Sequence, residues 1–164
     1  ARHAGARLVA FDSFRGMPPN DERHQGFDGL PRVFRRGAFH GRLREVQRTV
    51  ATFGAPEVVD YRKGWFADTL PDFEGPVDVA LLDVDLLAST RTCLVHLVPR
   101  LRPGGVLFTQ DGHLRAIAAL LADPGFWRDE VGVVAPRITG LGRDKFLALT
   151  FPGGDTAASR ASSS

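Results

Sequence analysis

Three apolar runs in this 164-residue chain end on acidic side chains. The runs have the character of buried strands, and the acids that follow them are Asp12, Asp83 with Asp85, and Asp111. A carboxylate at the end of a buried strand is costly unless it has a hydrogen-bond partner, a metal ion or a reaction to perform. These four acids are therefore the first candidates for chemistry.

The last two of these strand ends are separated by one strand–helix–strand unit, because Asp83 and Gln110 are 27 positions apart. If the two strands are neighbours, Asp83, Gln110 and Asp111 meet at the carboxyl edge of the sheet, where open α/β sheets bind ligands. Such an all-oxygen set suits Mg²⁺ or Mn²⁺ and not zinc. The alternative is that each acid only caps the next helix, and we expect Asp85 to support the loop and the helix start.

The apolar pattern predicts strands and helices in alternation, which indicates a parallel sheet with crossover helices. The predicted strands are 7–11, 58–61, 76–85, 106–109 and 145–151, and the predicted helices are 41–53, 88–101 and 114–122. Ser89 or Thr90 is the expected N-cap of the second helix, Pro99 is expected to end or kink it, and residues 103–105 are expected to turn. Residues 126–134 are ambiguous, and a helix end followed by a strand is one interpretation.

Residues 15–41 are rich in glycine, proline and charge. A segment of this length without regular structure is usually a functional lid or disordered. His24 lies within it and has no neighbouring residues in the sequence that indicate a role.

Composition excludes several classes of protein. The net charge is +2 despite an isoelectric point of about 9.2, and there is no basic stripe with interleaved aromatics, so we expect no nucleic-acid partner. No apolar run approaches ~20 residues and no secretory pattern opens the chain, so we expect no membrane association and a cytoplasmic setting. Cys93 is the single cysteine, which excludes an internal disulfide.

Four segments together resemble a known family. FDSFRGMPP at 11–19, KGWFADTLP at 63–71, LLDVDLLAST at 81–90 and LVPRLRPGGVLFTQDG at 97–112 are similar, in order and spacing, to successive blocks of the macrocin O-methyltransferase family. The resemblance implies a three-layer, Rossmann-like class I methyltransferase fold with a mostly parallel sheet. It also implies S-adenosyl-L-methionine as cofactor, with Mg²⁺, and a small-molecule acceptor whose hydroxyl, often on a sugar, is methylated.

The resemblance also implies roles for individual residues. Asp83 matches a catalytic aspartate that is both a metal ligand and a base, and Gln110 and Asp111 match the pair that completes the metal site. The residues that match the cofactor-binding segments, with Asp12 at the ribose and the last three beside the adenine, are Asp12, Ser13, Phe14, Gly64, Trp65 and Phe66.

The chain departs from the family pattern in two respects. Gln110 stands where the family has an aspartate, so we expect weaker Mg²⁺ binding, and His113 is an alternative candidate base. No glycine-rich loop with its strand lies upstream of Arg7, so we expect a partial methyltransferase domain at 1–152, from the second strand onward, with crippled cofactor binding. The two strands that would flank the missing strand are then expected to have unpaired edges, which makes a homo-oligomer plausible. Residues 153–164 are expected to form a disordered tail.

Two other functions are compatible with these residues. A strand that ends in Asp-x-Asp is also typical of haloacid-dehalogenase-like phosphohydrolases, although there the motif opens the domain. The absence of the glycine-rich loop and the presence of Gln110 are also compatible with a truncated or degenerate relative that is not catalytic.

Overall fold

The computed structural model describes residues 5–152. The described residues form two compact units: residues 5–21 with 34–73, and residues 22–33 with 74–152. In chain order the strands are β1 (Leu8–Asp12), β2 (His24–Gln25), β3 (Pro31–Arg32), β4 (Val59–Lys63), β5 (Val77–Leu82), β6 (Leu101–Thr109), β7 (Arg137–Thr139) and β8 (Leu147–Thr150). The helices are α1 (Leu43–Phe53), α2 (Phe66–Thr69), α3 (Leu87–Leu97), α4 (Arg115–Ala122) and α5 (Pro124–Phe126).

The first unit contains a two-stranded parallel sheet. β1 pairs with β4 in a register that sets Leu8 opposite Val59 and Asp12 opposite Lys63, so both strands end at the same edge. α1 ends where the sequence predicts, because the N–H of Gly54 returns to the carbonyl of Val50. The unit therefore brings the segments after β1 and after β4 to one end of its sheet.

The second unit contains a four-stranded sheet in the order β5-β6-β8-β7. β5 and β6 are parallel, and α3 supplies the crossover between them. β8 pairs antiparallel with both β6 and β7, so the parallel order expected from the alternation of elements does not extend to the last strands. The connection between β6 and β8 allows this, because β7 returns directly beside β8 as a hairpin partner. β2 and β3 form a separate antiparallel pair.

Two local predictions are wrong. α3 begins at Leu87, so Thr90 is a buried interior residue, and neither it nor Ser89 caps the helix. β6 begins at Leu101, so residues 103–105 lie within the strand and produce a register irregularity against β5 instead of a separate turn. Gly104 has a φ of 81°, which glycine adopts without a Cβ penalty.

Residues 124–131 include most of the segment 126–134, for which the sequence left the secondary structure open. They are helical, with a π-helical turn at Trp127–Val131 that ends at Gly132 in the left-handed conformation. Trp127 is fully buried, and its ring packs edge-on against Phe126 and Phe151. The Nε1–H of Trp127 donates to the carbonyl of Leu121 at 2.8 Å, which joins this turn to the end of α4.

The two strands expected to flank the missing strand each have a hydrogen-bonded neighbour on one side only within residues 5–152: β1 pairs with β4, and β5 pairs with β6. The unpaired edges expected from the sequence are therefore present. On β5 the side chains of Val79 and Leu81 are 63% and 64% exposed. None of the described helices is long and apolar enough to cross a membrane.

Replacement of Trp127 tests the packing of the second unit. We expect Trp127→Phe to lower the free energy of unfolding by about 2 kcal/mol, because the variant loses a buried hydrogen bond and part of a packed ring. Urea unfolding followed by circular dichroism measures the change. Phe53→Ala is the control, since Phe53 is 86% exposed and its removal should change the value by less than about 0.5 kcal/mol. Equal losses in the two variants would contradict the assigned packing.

Candidate active site

The turn that follows β5 has an unusual backbone at Asp85. Asp85 has a φ of 59°, a left-handed conformation that non-glycine residues rarely adopt and that aspartate and asparagine tolerate best. The N–H of Leu86 returns to the carbonyl of Val84 at 2.6 Å, so the chain reverses sharply before α3 begins. This reversal ends the strand, and it leaves a carboxylate oxygen of Asp85 within 4.8 Å of carboxylate oxygens of Asp83 and Asp111.

Asp111 holds this turn from the neighbouring strand end. Its Oδ2 atom accepts hydrogen bonds from the backbone N–H groups of Val84 and Asp85, each at 3.1 Å. The N–H of Asp111 donates to the hydroxyl of Thr109 at 3.2 Å, which fixes the carboxylate at the end of β6. Asp111 is 1% exposed, and its second oxygen, Oδ1, is buried with no hydrogen-bond partner among the described residues.

The three acids of these two strand ends form one cluster. Asp83, Asp85 and Asp111 each offer a carboxylate oxygen within 4.8 Å of the others. Burial, followed by the charges of Asp111 and Asp83, raises the pKa of Asp85 to about 6. Burial is also the main reason that the pKa of Asp111 is raised, although its bonds from Val84 and Asp85 oppose the shift. The cluster therefore places the buried carboxylate of Asp111 and the half-buried one of Asp85 beside the exposed carboxylate of Asp83, and burial disfavours the charged forms of the first two.

Three basic side chains lie near the cluster. Lys145 and His24 lower the pKa of Asp85 by their charge, and His113 does the same for Asp111. Lys145 is held beside this edge because its carbonyl accepts the N–H of Gly112 at 3.0 Å. The Nδ1 atom of His113 is buried without a hydrogen-bond partner among the described residues. His113 remains a candidate base by position.

The cluster fits a hard divalent cation in its donor chemistry. All three donors are carboxylate oxygens, and their spread of up to 4.8 Å is slightly wider than the ~4.2 Å that separates opposite ligands around Mg²⁺. The buried, unpartnered oxygen of Asp111 is the kind of polar atom that a bound ion would satisfy. The sequence predicted Asp83 and Asp111 in this place but not the carboxylate of Asp85. The role of Gln110 as a ligand stays a prediction; its backbone N–H donates to the carbonyl of Leu82.

Sequence reasoning missed the residue that caps α3. The carboxylate of Glu22 accepts the N–H of Leu87 at 2.7 Å and that of Ala88 at 3.0 Å, so it takes the place expected for Ser89 or Thr90. His24, which we expected to have no role, is 4% exposed, and its Nε2 atom lies 2.7 Å from Oε2 of Glu22. Glu22 is 65 positions from Leu87 in the sequence, so no local pattern could indicate this contact.

The first unit brings the six candidate cofactor-binding residues to one end of its sheet. The N–H of Gly64 donates to the carbonyl of Asp12 at 3.0 Å, which sets the two segments side by side. Oδ1 of Asp12 accepts the N–H of Phe14, and the hydroxyl of Ser13 accepts the N–H of Arg15, so the turn after β1 is fixed by its own side chains. Phe14 has a φ of 54°, as this tight turn requires.

The segment after β4 provides an aromatic and close-packed surface. Trp65 and Phe66 are half-buried at the start of α2. A Cβ atom on Gly64 would lie 2.6 Å from Cγ2 of Thr69, so the backbone approaches α2 closely at this position. The hydroxyl of Tyr61 is buried with no hydrogen-bond partner among the described residues, and its ring lies 6.4 Å from that of Phe14. An exposed carboxylate, two aromatic rings and an unpartnered hydroxyl suit an adenosine-like group.

Solved structures with the same fold define the class of protein. The O-methyltransferase NovP superposes with a TM-score of 0.68 at 25% sequence identity, covering 88% of this chain and 60% of that one. The calicheamicin methyltransferase CalS11 shares the fold, with a TM-score of 0.62 at 21% identity over 91% of this chain and 61% of its own. The fold is that of an α/β methyltransferase.

Sequence comparison identifies the family. The macrocin-O-methyltransferase (TylF) family profile matches residues 2–137, and the chain belongs to this family. It is 33% identical, over 133 residues, to the 8-demethyl-8-(2,3-dimethoxy-alpha-L-rhamnosyl)-tetracenomycin-C 4'-O-methyltransferase of Streptomyces olivaceus, a match that covers 79% of this chain and 50% of the relative. It is 34% identical, over 105 residues, to the demethyldecarbamoylnovobiocin O-methyltransferase of Streptomyces niveus, covering 61% of this chain and 39% of that enzyme. The chain thus spans at most about half the length of these two relatives.

Asp85→Asn tests the electrostatics of the metal-free cluster. Because the folded-state pKa of about 6 lies above the ordinary value of 3.8, the folded chain binds more protons, and Asp85 makes the free energy of unfolding fall as the pH rises through this range. We expect the variant to be more stable than the parent at about pH 8 and to vary less with pH between about 4 and 7. Asparagine keeps the left-handed backbone available.

Thermal unfolding across this pH range, in the presence of a chelator, measures the effect. Asp72→Asn is the matched control, because Asp72 is an exposed acid in the other unit. A stability of Asp85→Asn at or below that of the parent at high pH would contradict the assigned burial and repulsion.

Proposed function

We propose that this chain acts as an S-adenosyl-L-methionine-dependent O-methyltransferase that methylates a hydroxyl group, most simply a sugar hydroxyl, on a small natural product. Its family and the two relatives support the reaction type, and the name of the tetracenomycin relative specifies a 4'-O-methylation of a rhamnosylated compound. The observation that carries the proposal is the carboxylate cluster at the carboxyl edge of β5 and β6, with the unpartnered oxygen of Asp111 inside it.

Asp83, Asp85 and Asp111 would hold Mg²⁺, with Gln110 as a further oxygen donor. A bound divalent cation supplies charge that makes a hydroxyl group easier to deprotonate. Asp83 is the exposed member of the cluster, so its carboxylate is the one that can accept a proton from an acceptor hydroxyl. Asp111 keeps one oxygen on the backbone of the turn and has one oxygen for the cation. We expect binding weaker than in a site with an aspartate at position 110.

The cofactor is assigned to the residues after β1 and β4. The carboxylate of Asp12 would accept hydrogen bonds from ribose hydroxyls, since the residue is exposed and the N–H of Phe14 engages only Oδ1. Ser13 and Phe14 would shape the turn around the ribose. Gly64, Trp65 and Phe66 would border the adenine through backbone contact and ring packing. The weakened cofactor binding expected from the sequence stays a prediction.

Calorimetric titration of the 164-residue chain with S-adenosylhomocysteine, with and without Mg²⁺, tests the cofactor and metal assignments. Direct Mn²⁺ titration of the parent, Asp83→Asn and Asp111→Asn tests the ligands. We expect each variant to bind Mn²⁺ at least ~10-fold more weakly, because each loses a charged donor from a three-carboxylate site. Asp72→Asn, in an exposed loop, should bind as the parent does.

The outcomes separate the candidate functions. Cofactor binding with a Mn²⁺ site that depends on Asp83 supports the metal-assisted enzyme. Cofactor binding without any Mn²⁺ site removes the metal from the proposal and leaves His113 as the base to test. No binding of either ligand favours a non-catalytic relative for this chain.

A further inference from the structure

The 22–33 segment belongs to the second unit although its sequence lies inside the first. It is attached at two places to the loops that carry the acids. At its start Glu22 accepts the first two N–H groups of α3. In its middle the N–H of Phe27 donates to the carbonyl of His113, and Arg115 donates to the carbonyl of Gly26. The segment therefore joins the loop after β5 to the loop after β6.

Glu22 and Asp111 together bind the backbone of the acidic turn. Five consecutive N–H groups, from residue 84 to residue 88, are all satisfied locally: the first two by Asp111, the third by the carbonyl of Val84, and the last two by Glu22. The left-handed residue Asp85 lies between the two carboxylates. A backbone conformation that costs about 1 kcal/mol or more persists only where its surroundings hold it on both sides.

His24 fixes the carboxylate of Glu22. Its ring is buried, and Nε2 lies 2.7 Å from the same Oε2 atom that accepts the N–H of Leu87. The β2–β3 pair and the bridge from Gly26 to Leu114 hold the backbone on which His24 lies. Glu22 is therefore restrained by its neighbour as well as by the helix it caps.

The geometry points to Glu22 as a positioning residue of the acid cluster. Its carboxylate is occupied by two backbone N–H groups and by His24, so it acts on the site through the turn and not as a fourth ligand. With Asp111 it holds the reversal at Asp85, which sets the carboxylates of Asp83 and Asp85 toward the unpartnered oxygen of Asp111. The inference rests on the proposed function only where cation binding is concerned.

The test compares Glu22→Gln and Glu22→Ala with the parent. Hydrogen exchange followed by NMR measures the protection of the N–H groups of residues 84–88, and Mn²⁺ titration measures the cation site. We expect Glu22→Ala to lose protection at 84 and 85 as well as at 87 and 88, and to bind Mn²⁺ about tenfold more weakly. Glu22→Gln keeps one acceptor oxygen, so it should show both effects to a smaller degree and should remain folded if the alanine variant does not. Glu130→Gln is the control, because Glu130 pairs with Arg91 of α3 away from its N-terminus.

Each outcome decides the inference. Loss of protection confined to residues 87 and 88, with unchanged Mn²⁺ affinity, would show that Glu22 is only a helix cap, and the inference would be overturned. Unchanged protection throughout would overturn the contact itself. If the parent binds no Mn²⁺, the metal assignment fails, whereas exposure of the N–H groups of Val84 and Asp85 in the Glu22 variants still establishes the positioning role.

Discussion

The two carboxylate oxygens of Asp111 have different roles, and the acid cluster of the second unit depends on both of them. Oδ2 accepts hydrogen bonds from the backbone of the turn after β5, while Oδ1 is buried and has no hydrogen-bond partner within residues 5–152. Parallel pairing of β5 and β6 brings the two strand ends together, and the N–H of Asp111 is fixed by Thr109. A buried carboxylate is tolerated here because the N–H groups of Val84 and Asp85 replace part of the water it has lost.

The three carboxylates of the cluster are held close together although their negative charges repel one another. Burial is the main reason that the pKa values of Asp85 and Asp111 are raised, and repulsion between the three acids adds to it. Lys145, His24 and His113 offset some of it. The remaining imbalance is what would make a divalent cation bind. It also means that the metal-free chain carries a stability cost at neutral pH, as expected where function and stability compete.

The sequence was sufficient for the parts of the structure that local patterns determine. Apolar runs located β1, β5 and β6, and Gly54 marked the end of α1, because side-chain periodicity and helix termination are local properties. The sequence failed to predict the N-cap of α3. A helix is usually capped by a residue next to it in the sequence, but the distant Glu22 caps α3 in place of Ser89 or Thr90. The proximity of the Asp85 carboxylate to those of Asp83 and Asp111 was not predicted for a related reason, since the left-handed turn at Asp85 is stabilised by residues from two other segments. The Asp-x-Asp spacing was the available signal.

The reversal at Asp85 has a consequence for anyone who would transplant this site. The sequence Asp-Val-Asp at the end of a strand does not by itself specify this reversal. An isolated copy of the sequence would relax to an ordinary extended or helical backbone, and its carboxylates would lie farther apart. A graft would have to include three separate stretches, around Glu22, Asp83 and Asp111, in their spatial relation. The site is specified by a set of backbone contacts and not by a short motif. The same motif at the end of a strand in an unrelated sheet is therefore no indication that the site is shared.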